Sequence, residues 1–145
     1  MWADLLEAFE KELTMFKVRG IRGAIKVAEN SEEAIISSTK KLLSKMIETN
    51  DVKPEDIASV FFTATSDLNA EFPAYATRGM GYDLVPLLCA REIEVPKGMS
   101  RLIRILIHVN TEKSQKNIRH QYLGETSKLR PELIGGNDDD RSDEI

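Results

Sequence analysis

The sequence contains little cysteine and no long apolar run, and each absence excludes a class of protein. Cys89 is the only cysteine among 145 residues, which excludes an intramolecular disulfide and a metal site built from several thiolates. No apolar run approaches the roughly 20 residues that span a membrane. Acidic residues such as Asp4, Glu7 and Glu10 interrupt the N-terminal segment, which is therefore too polar for a signal peptide. We expect a cytoplasmic globular protein.

A basic excess is also missing. The tail from Asn137 to Ile145 carries five acidic residues and one arginine, a net charge of −4, which equals the formal charge of the whole chain. Residues 1–136 are therefore balanced, and nothing in their charge favours nucleic acid as a partner. The segment 135–145 begins with two glycines and has almost no apolar side chains, which predicts a disordered acidic tail.

Familiar catalytic and metal-binding motifs are absent as well. The sequence has no phosphate-binding loop, GxGxxG or HExxH pattern. His108 and His120 have no acidic residues at a matching spacing, so no metal site is predicted. Cys89 has two readings, a nucleophile or a small buried residue in a strand. The second is favoured because no motif connects either histidine to it.

The N-terminal third of the chain predicts two helices with a strand between them. Residues 1–15 carry an apolar stripe at helical spacing and are interpreted as an amphipathic extension. Residues 16–27 are rich in β-branched side chains, which indicates a strand. The second helix is predicted to start at an Asn30 cap, with Glu33 as its capping-box partner, and to end near Asn50.

The rest of the chain predicts more strands and short helices. In order, these are strand 57–65, a short helix that begins at Pro73 and contains Arg78, strand 84–92, strand 101–110, a short helix at 114–122 that includes Tyr122, and an extended piece at 127–133. Gly20 or Gly23 marks a bulge or a close approach in the first strand. This order predicts a mixed α/β or α+β domain with helices packed on a sheet.

One arginine stands inside an apolar strand. In "RLIRILIHV" (101–109), alternation puts Ile103, Ile105, Ile107 and Val109 on one face and Leu102, Arg104, Leu106 and His108 on the other. Burying an unpaired guanidinium would cost on the order of several kcal/mol, so an anion must meet Arg104.

Two kinds of anionic partner are possible for Arg104. Glu92, at the end of the preceding strand, could form a structural cross-strand pair with it. Alternatively, Glu92 and several arginines (Arg22, Arg78, Arg104, Arg130) could line a pocket for a small dianion. The residue pattern alone does not distinguish the structural pair from the pocket.

Six segments in sequence resemble, in order and spacing, the small trimeric α/β-barrel chorismate mutases. They are "RGIRGA" (19–24), "SDLNAEFPAYATR" (66–78), "VPLLCARE" (85–92), "RLIRILIHV", "IRHQYL" (118–123) and "LRPEL" (129–133). The resemblance implies an α+β pseudo-barrel of mixed sheet with helices outside, formed by residues 16–134. It implies a homotrimer with active sites between subunits. It also implies the Claisen rearrangement of chorismate to prephenate, in phenylalanine and tyrosine biosynthesis, with no cofactor.

The resemblance also implies roles for residues of this sequence. Arg104 would donate to the ether oxygen of chorismate, Glu92 would accept from its ring hydroxyl, and Arg22 would bind a carboxylate. The remaining predicted contacts are Tyr122, which would orient that carboxylate, Cys89 near the hydroxyl, Phe72, Ala74 and Arg78 from the neighbouring subunit, and Leu129 and Arg130 in a closing C-terminal segment.

Three features depart from the pattern of that family. Tyr75 stands where a lysine is frequent at the rim of the cleft, and Leu88 stands where a threonine is common. Residues 1–14 precede the usual start and are either an added helix or the product of an upstream start assignment. Two alternatives are therefore kept: an imine-deaminase-like enzyme on a related fold, and a non-catalytic trimer that binds a small carboxylate.

Overall fold

The structure is a computed structural model that describes residues 1–129, except for the side chains of residues 11–14. Its helices are α1 (Trp2–Met15) and α2 (Glu32–Asn50). Its strands are β1 (Lys17–Lys26), β2 (Ile57–Ala64), β3 (Leu87–Arg91), β4 (Leu102–Thr111) and β5 (Gln121–Tyr122). Short 3₁₀ helices span Pro54–Asp56, Pro73–Thr77, Gln115–Asn117 and Gly124–Lys128. Arg130 and the predicted tail 135–145 lie outside the described residues.

The five described strands form one mixed sheet in the order β3-β2-β4-β1-β5. The central strand β4 is antiparallel to both β1 and β2. The outer pairs, β2 with β3 and β1 with β5, are parallel. This arrangement confirms the mixed α+β prediction and puts Arg104 in the middle strand of the sheet.

The two faces of β4 differ as the alternation predicts. Ile103, Ile105, Ile107 and Val109 are almost completely buried in the main core. The helix α2 covers this face with its own buried stripe, which consists of Ile35, Thr39, Leu42, Leu43 and Met46. On the other face Leu102 is buried, whereas Arg104, Leu106 and His108 are half-buried. The charged residue therefore lies outside the main core.

The helix α2 begins one residue later than predicted. Its cap is Ser31, whose Oγ accepts a hydrogen bond from the N–H of Ala34 at 3.2 Å, so the predicted Asn30 cap and the capping box with Glu33 are wrong. Asn30 instead joins two loops. Its Oδ1 accepts hydrogen bonds from the N–H groups of Asn69 and Ala70, both at 3.0 Å. Both residue types cap helices well, and tertiary contacts decide which one does so here.

Several short elements also differ from prediction. The predicted helix 114–122 is wrong beyond a three-residue 3₁₀ helix at Gln115–Asn117, because its last two residues are β5, which adds in parallel to β1. The predicted extended piece 127–133 begins inside the helix Gly124–Lys128, and its residues 130–133 lie outside the described part of the chain. The predicted helix after Pro73 is a five-residue 3₁₀ helix, and Arg78 comes just after it. The third strand begins only at Leu87, directly after Pro86, which has no N–H to donate to a ladder.

At Gly23 the strand β1 lies close against the helix α2. A Cβ added at Gly23 would lie 2.5 Å from Sδ of Met46, 3.0 Å from Cδ1 of Leu42 and 3.1 Å from the backbone oxygen of Gln121. At Gly20 the nearest atom would be Cδ1 of Leu106 at 3.5 Å, an ordinary contact. Gly23, not Gly20, therefore fulfils the predicted close approach.

We predict that Gly23→Ala lowers the free energy of unfolding by about 1–3 kcal/mol, because the methyl group overpacks the contact between helix and sheet. Urea denaturation followed by circular dichroism measures the change. Gly20→Ala is the matched control and should not destabilise the protein, because its methyl group has room. Equal stability of the two variants would contradict the packing argument.

Candidate active site

The central feature of the candidate site is a two-pronged ion pair between Arg104 and Glu92. Nε of Arg104 donates to Oε1 of Glu92 at 2.5 Å, and Nη2 donates to Oε2 at 2.6 Å. The strand β2 lies between β3 and β4, so the pair reaches across a strand. Thr63 of β2 lies opposite Arg104 in the ladder, and its hydroxyl also donates to Oε1 of Glu92, at 2.5 Å. Arg104 therefore has the anionic partner that its place in the strand requires.

The electrostatics of the pair favour the charged state of both partners. Burial alone would raise the pKa of Glu92, but hydrogen bonds from Arg104 and Thr63 outweigh it and lower that pKa. The hydrogen bond to Glu92 raises the pKa of Arg104 against the opposing effect of burial. The Glu92 side chain is 10% exposed and that of Arg104 is 41% exposed. The carboxylate is thus enclosed, while the guanidinium keeps an open side.

Other predicted residues share the face of the sheet on which Arg104 lies. Ala24 of β1 is the ladder partner of both Arg104 and Tyr122, and the buried Tyr122 lies close enough to Arg104 to raise its pKa further. Leu129 packs against the small cluster formed by Ala24, Leu102 and Tyr122.

Arg22 belongs to the same face, two residues before Ala24 on β1. Its N–H donates to Nδ1 of His120 at 2.9 Å, which anchors the backbone of β1 beside β5. Arg22, Tyr122 and Leu129 therefore extend the surface around Arg104 along β1 and β5.

A second group of predicted residues lies on the other side of the sheet. Cys89 is the ladder partner of the buried Phe62, so it points towards the main core, as Ala74 does. Burial raises the pKa of the Cys89 thiol, while a hydrogen bond from the Ala74 N–H opposes this shift. The raised pKa favours the neutral thiol and supports the reading of Cys89 as a half-buried strand residue.

A surface cleft of about 370 Å³ opens beside this second group. Phe72, Cys89 and Arg91 are among its lining residues, whereas Arg104 and Glu92 are not. Tyr75 and Arg78 follow on the exposed side of the Pro73–Thr77 helix. Leu88 is an exception, because its pairing with Phe61 puts it on the Arg104 side, where it is exposed. One chain therefore does not bring all the predicted residues into one cavity.

Two residues that contact the site, Thr63 and His120, were not among its predicted members. Thr63 is the first of the two threonines in "FFTAT" (61–65), and its position opposite Arg104 follows only once the register of β2 and β4 is known. His120 was considered as a metal ligand, but its Nδ1 accepts the hydrogen bond from Arg22. Within residues 1–129, no group of three or more histidine, cysteine, aspartate or glutamate side chains is arranged to hold a metal ion. None of the described helices is long and apolar enough to cross a membrane.

The arrangement around Arg104 suits the recognition of a small anion. Glu92 uses two of the five N–H donors of the guanidinium, so most of the donor capacity is not consumed by the ion pair. The carboxylate holds the guanidinium plane in one orientation, and Thr63 holds the carboxylate. This geometry can stabilise negative charge that develops at a fixed point, without a nucleophile.

Comparison with known proteins confirms the resemblance to chorismate mutases over most of the chain. The family model for chorismate mutase type I matches residues 18–133. Chorismate mutase AroH of Thermus thermophilus is 50% identical over 117 residues, which cover 80% of this chain and 96% of that protein. Chorismate mutase AroH of Bacillus subtilis is 45% identical over 117 residues, which cover 80% of this chain and 92% of that protein.

A solved structure extends the likeness to the fold. The chorismate mutase from Clostridium thermocellum superposes with a TM-score of 0.75 at 44% identity, over 77% of this chain and 99% of that one. The helix α1 precedes the matched region. The family match, the two relatives and the shared fold agree, and the chain belongs to the chorismate mutase type I family.

Proposed function

We propose that this chorismate mutase converts chorismate to prephenate around Arg104 and Glu92, in a site completed by a second subunit. The observation that carries the proposal is the two-pronged Arg104–Glu92 pair, which fixes a guanidinium on the middle strand of the sheet. The product would serve phenylalanine and tyrosine biosynthesis. The cytoplasmic location remains a prediction.

The reaction requires a defined substrate conformation and stabilisation of developing charge, and it forms no bond to the protein. A pericyclic rearrangement needs no nucleophile and no proton transfer. It needs the flexible dianion held in a chair-like conformation in which the reacting carbons approach. Negative charge grows on the ether oxygen as the carbon–oxygen bond breaks. The guanidinium of Arg104 would donate to that oxygen, and a fixed donor in a water-poor cleft stabilises charge more strongly than water does.

Glu92 has the capacity to bind the substrate while it holds Arg104. An ionised carboxylate offers about four acceptor positions. Arg104 occupies two of them and Thr63 a third, which leaves one for the ring hydroxyl of chorismate. The negative charge would also offset positive charge that develops on the ring.

The neighbours of the pair would bind the carboxylates of the dianion. Arg22 would donate to one of them, and Tyr122, fixed by its burial, would orient that group. Leu129 packs against the cluster around Tyr122 and would border this end of the site.

The placement of the second group supports a homotrimer with shared sites. Ala74 and Cys89 pack against the main core, across the sheet from Arg104, and Phe72 lines the cleft beside Cys89. This separation favours a site in which the two groups come from different chains. A neighbouring copy would present the second group to the open side of Arg104. Exposed apolar side chains on the Arg104 side of the sheet, Val18 and Leu88, support burial of this face against another subunit.

The family match excludes the imine-deaminase-like alternative. A trimer that binds a small carboxylate without catalysis is the remaining alternative, and turnover of chorismate distinguishes it from the enzyme.

We expect Arg104→Ala to lower kcat/KM for chorismate on the order of a thousandfold, because no donor would meet the ether oxygen. Arg104→Lys should also lose most activity, because an ammonium cannot make the two-pronged contact with Glu92. The loss of chorismate absorbance follows the reaction. Lys45→Ala, which removes a positive charge from the exposed side of α2, should retain full activity. An active Arg104→Ala variant, or a folded parent without turnover, would refute the assignment.

Shared sites predict recovery of activity in mixed trimers. Arg104→Ala disables one side of each site, and Phe72→Asp disables the other, because a carboxylate there repels the dianion. Phe72 is exposed, so the second change should spare the fold. Random co-assembly of the two inactive variants in equal amounts should restore about a quarter of the sites. Recovery near zero, with mixed trimers verified by mass spectrometry, would mean that one chain forms the whole site.

The lowered pKa of Glu92 predicts how the contribution of the ion pair depends on pH. A carboxylate whose pKa is lower in the folded than in the unfolded state stabilises the fold above its unfolded pKa, about 4.3. That stabilisation is lost as the pH falls through the folded value. The difference in free energy of unfolding between parent and Glu92→Gln should therefore shrink as the pH falls below about 4. Glu94→Gln, which removes an exposed negative charge nearby, is the control. A difference that stays constant down to pH 2 would contradict the ionised pair.

A further inference from the structure

The Pro73–Thr77 helix aligns an aromatic pair and an arginine on its exposed side. A 3₁₀ helix has three residues per turn, so side chains three apart lie above one another. The N–H of Tyr75 donates to the carbonyl of Phe72 at 3.1 Å, and the N–H of Arg78 donates to the carbonyl of Tyr75 at 3.2 Å. Phe72, Tyr75 and Arg78 therefore form a row. Pro73, Ala76 and Thr77 are buried on the inner side of the helix.

The side chains of this row are in contact. Cζ of Arg78 lies 3.9 Å from the centre of the Tyr75 ring, which is the geometry of a cation–π interaction. The rings of Phe72 and Tyr75 meet edge to face, with centres 5.6 Å apart and planes at 65°. Tyr75 is thus the middle member, held by Phe72 on one side and covered by the guanidinium on the other.

The guanidinium of Arg78 has no anionic partner within the part of the chain that is described. The salt bridges found there join Glu92 to Arg104 and Glu125 to Lys26, and neither involves Arg78. Stacking on a ring uses the flat face of the guanidinium and leaves the N–H groups at its edge free to donate. An exposed, oriented cation without a carboxylate is suited to bind an anion that comes from outside the chain.

We propose that Tyr75 is a positioning residue, which holds Arg78 in the orientation that binds a carboxylate of chorismate at the rim of the shared site. The inference rests on the proposed function, because it takes Arg78 to face the substrate bound at Arg104 of another subunit. Two physical reasons favour it. A long arginine side chain in water samples many rotamers, and binding must overcome that entropy. The stack confines Arg78 before the substrate arrives, which lowers the cost of binding.

The ring of Tyr75 is the part that matters in this account, and its hydroxyl is not. Tyr75→Phe keeps the stacking surface, whereas Tyr75→Leu keeps an apolar side chain but removes the π face. We expect Tyr75→Leu to raise KM for chorismate about three- to tenfold, with kcat within about twofold of the parent. Tyr75→Phe should leave both constants within about twofold. Thermal unfolding and the sedimentation profile of each variant establish that the fold and the assembly are unchanged.

A double-mutant cycle distinguishes positioning from a separate structural role. Arg78→Ala should raise KM at least as much as Tyr75→Leu does. Adding Tyr75→Leu to Arg78→Ala should change KM little further, because the residue that Tyr75 positions is already absent. Arg78→Ala should also weaken the dependence of kcat/KM on salt, whereas Lys45→Ala, which removes a distant surface charge, should not.

The possible failures are distinguishable. An unchanged KM in Tyr75→Leu, or KM increases that multiply in the double variant, would overturn the positioning role and leave Arg78 in the site. An unchanged KM in Arg78→Ala would overturn the inference at its base, by removing Arg78 from the site. Full activity in Arg104→Ala would instead reject the proposed function, and its outcome does not depend on the Tyr75 variants.

Discussion

The structure depends on one constraint, which is the need to neutralise a guanidinium in the middle strand of an apolar sheet. Arg104 can stay there because Glu92 reaches across β2 to pair with it, and the hydroxyl of Thr63 on β2 donates a hydrogen bond to Glu92. The sheet order β3-β2-β4 brings the end of β3 within reach of β4 and so makes this contact possible. Charge neutralisation consumes two of the donors of Arg104. The same side chain can therefore satisfy the fold and still offer hydrogen bonds to a ligand.

A sheet with two different faces explains why the site divides into two groups. Residues in phase with Ile103 and Ile105 build the main core under α2, whereas residues in phase with Arg104 remain half-buried. Cys89 belongs to the first phase and Glu92 contacts the second, although three positions separate them in the chain. In the proposed site, a ligand that touches both groups would bind between two copies of the chain. Oligomerisation would thus complete the chemistry and also cover the apolar part of the exposed face.

The sequence predicts the long elements well because each has a strong period. Alternation identified both faces of β4, and the apolar stripe identified α2 to its last residue. Short elements failed because their form depends on distant partners. The pairing of Tyr122 with Ala24 makes β5 a strand. Asn30 does not cap α2, because its side chain accepts a hydrogen bond from Asn69 in another loop. Likewise, the sequence offered Glu92 as a partner for Arg104, but only the strand register reveals Thr63. The stack of Arg78 on Tyr75 depends on a 3₁₀ geometry that composition does not specify.

The central claim is that Arg104 and Phe72 of different copies enclose one ligand. A crystal structure with a bound bicyclic dicarboxylate, whose shape mimics the chair-like transition state, tests this most directly. The account predicts that the ether oxygen of the ligand lies within hydrogen-bond distance of the Arg104 guanidinium of one subunit, with Phe72 of its neighbour against the ring. A ligand confined to the cleft beside Phe72 and Cys89 of a single chain, with Arg104 still bound only to Glu92, would contradict it.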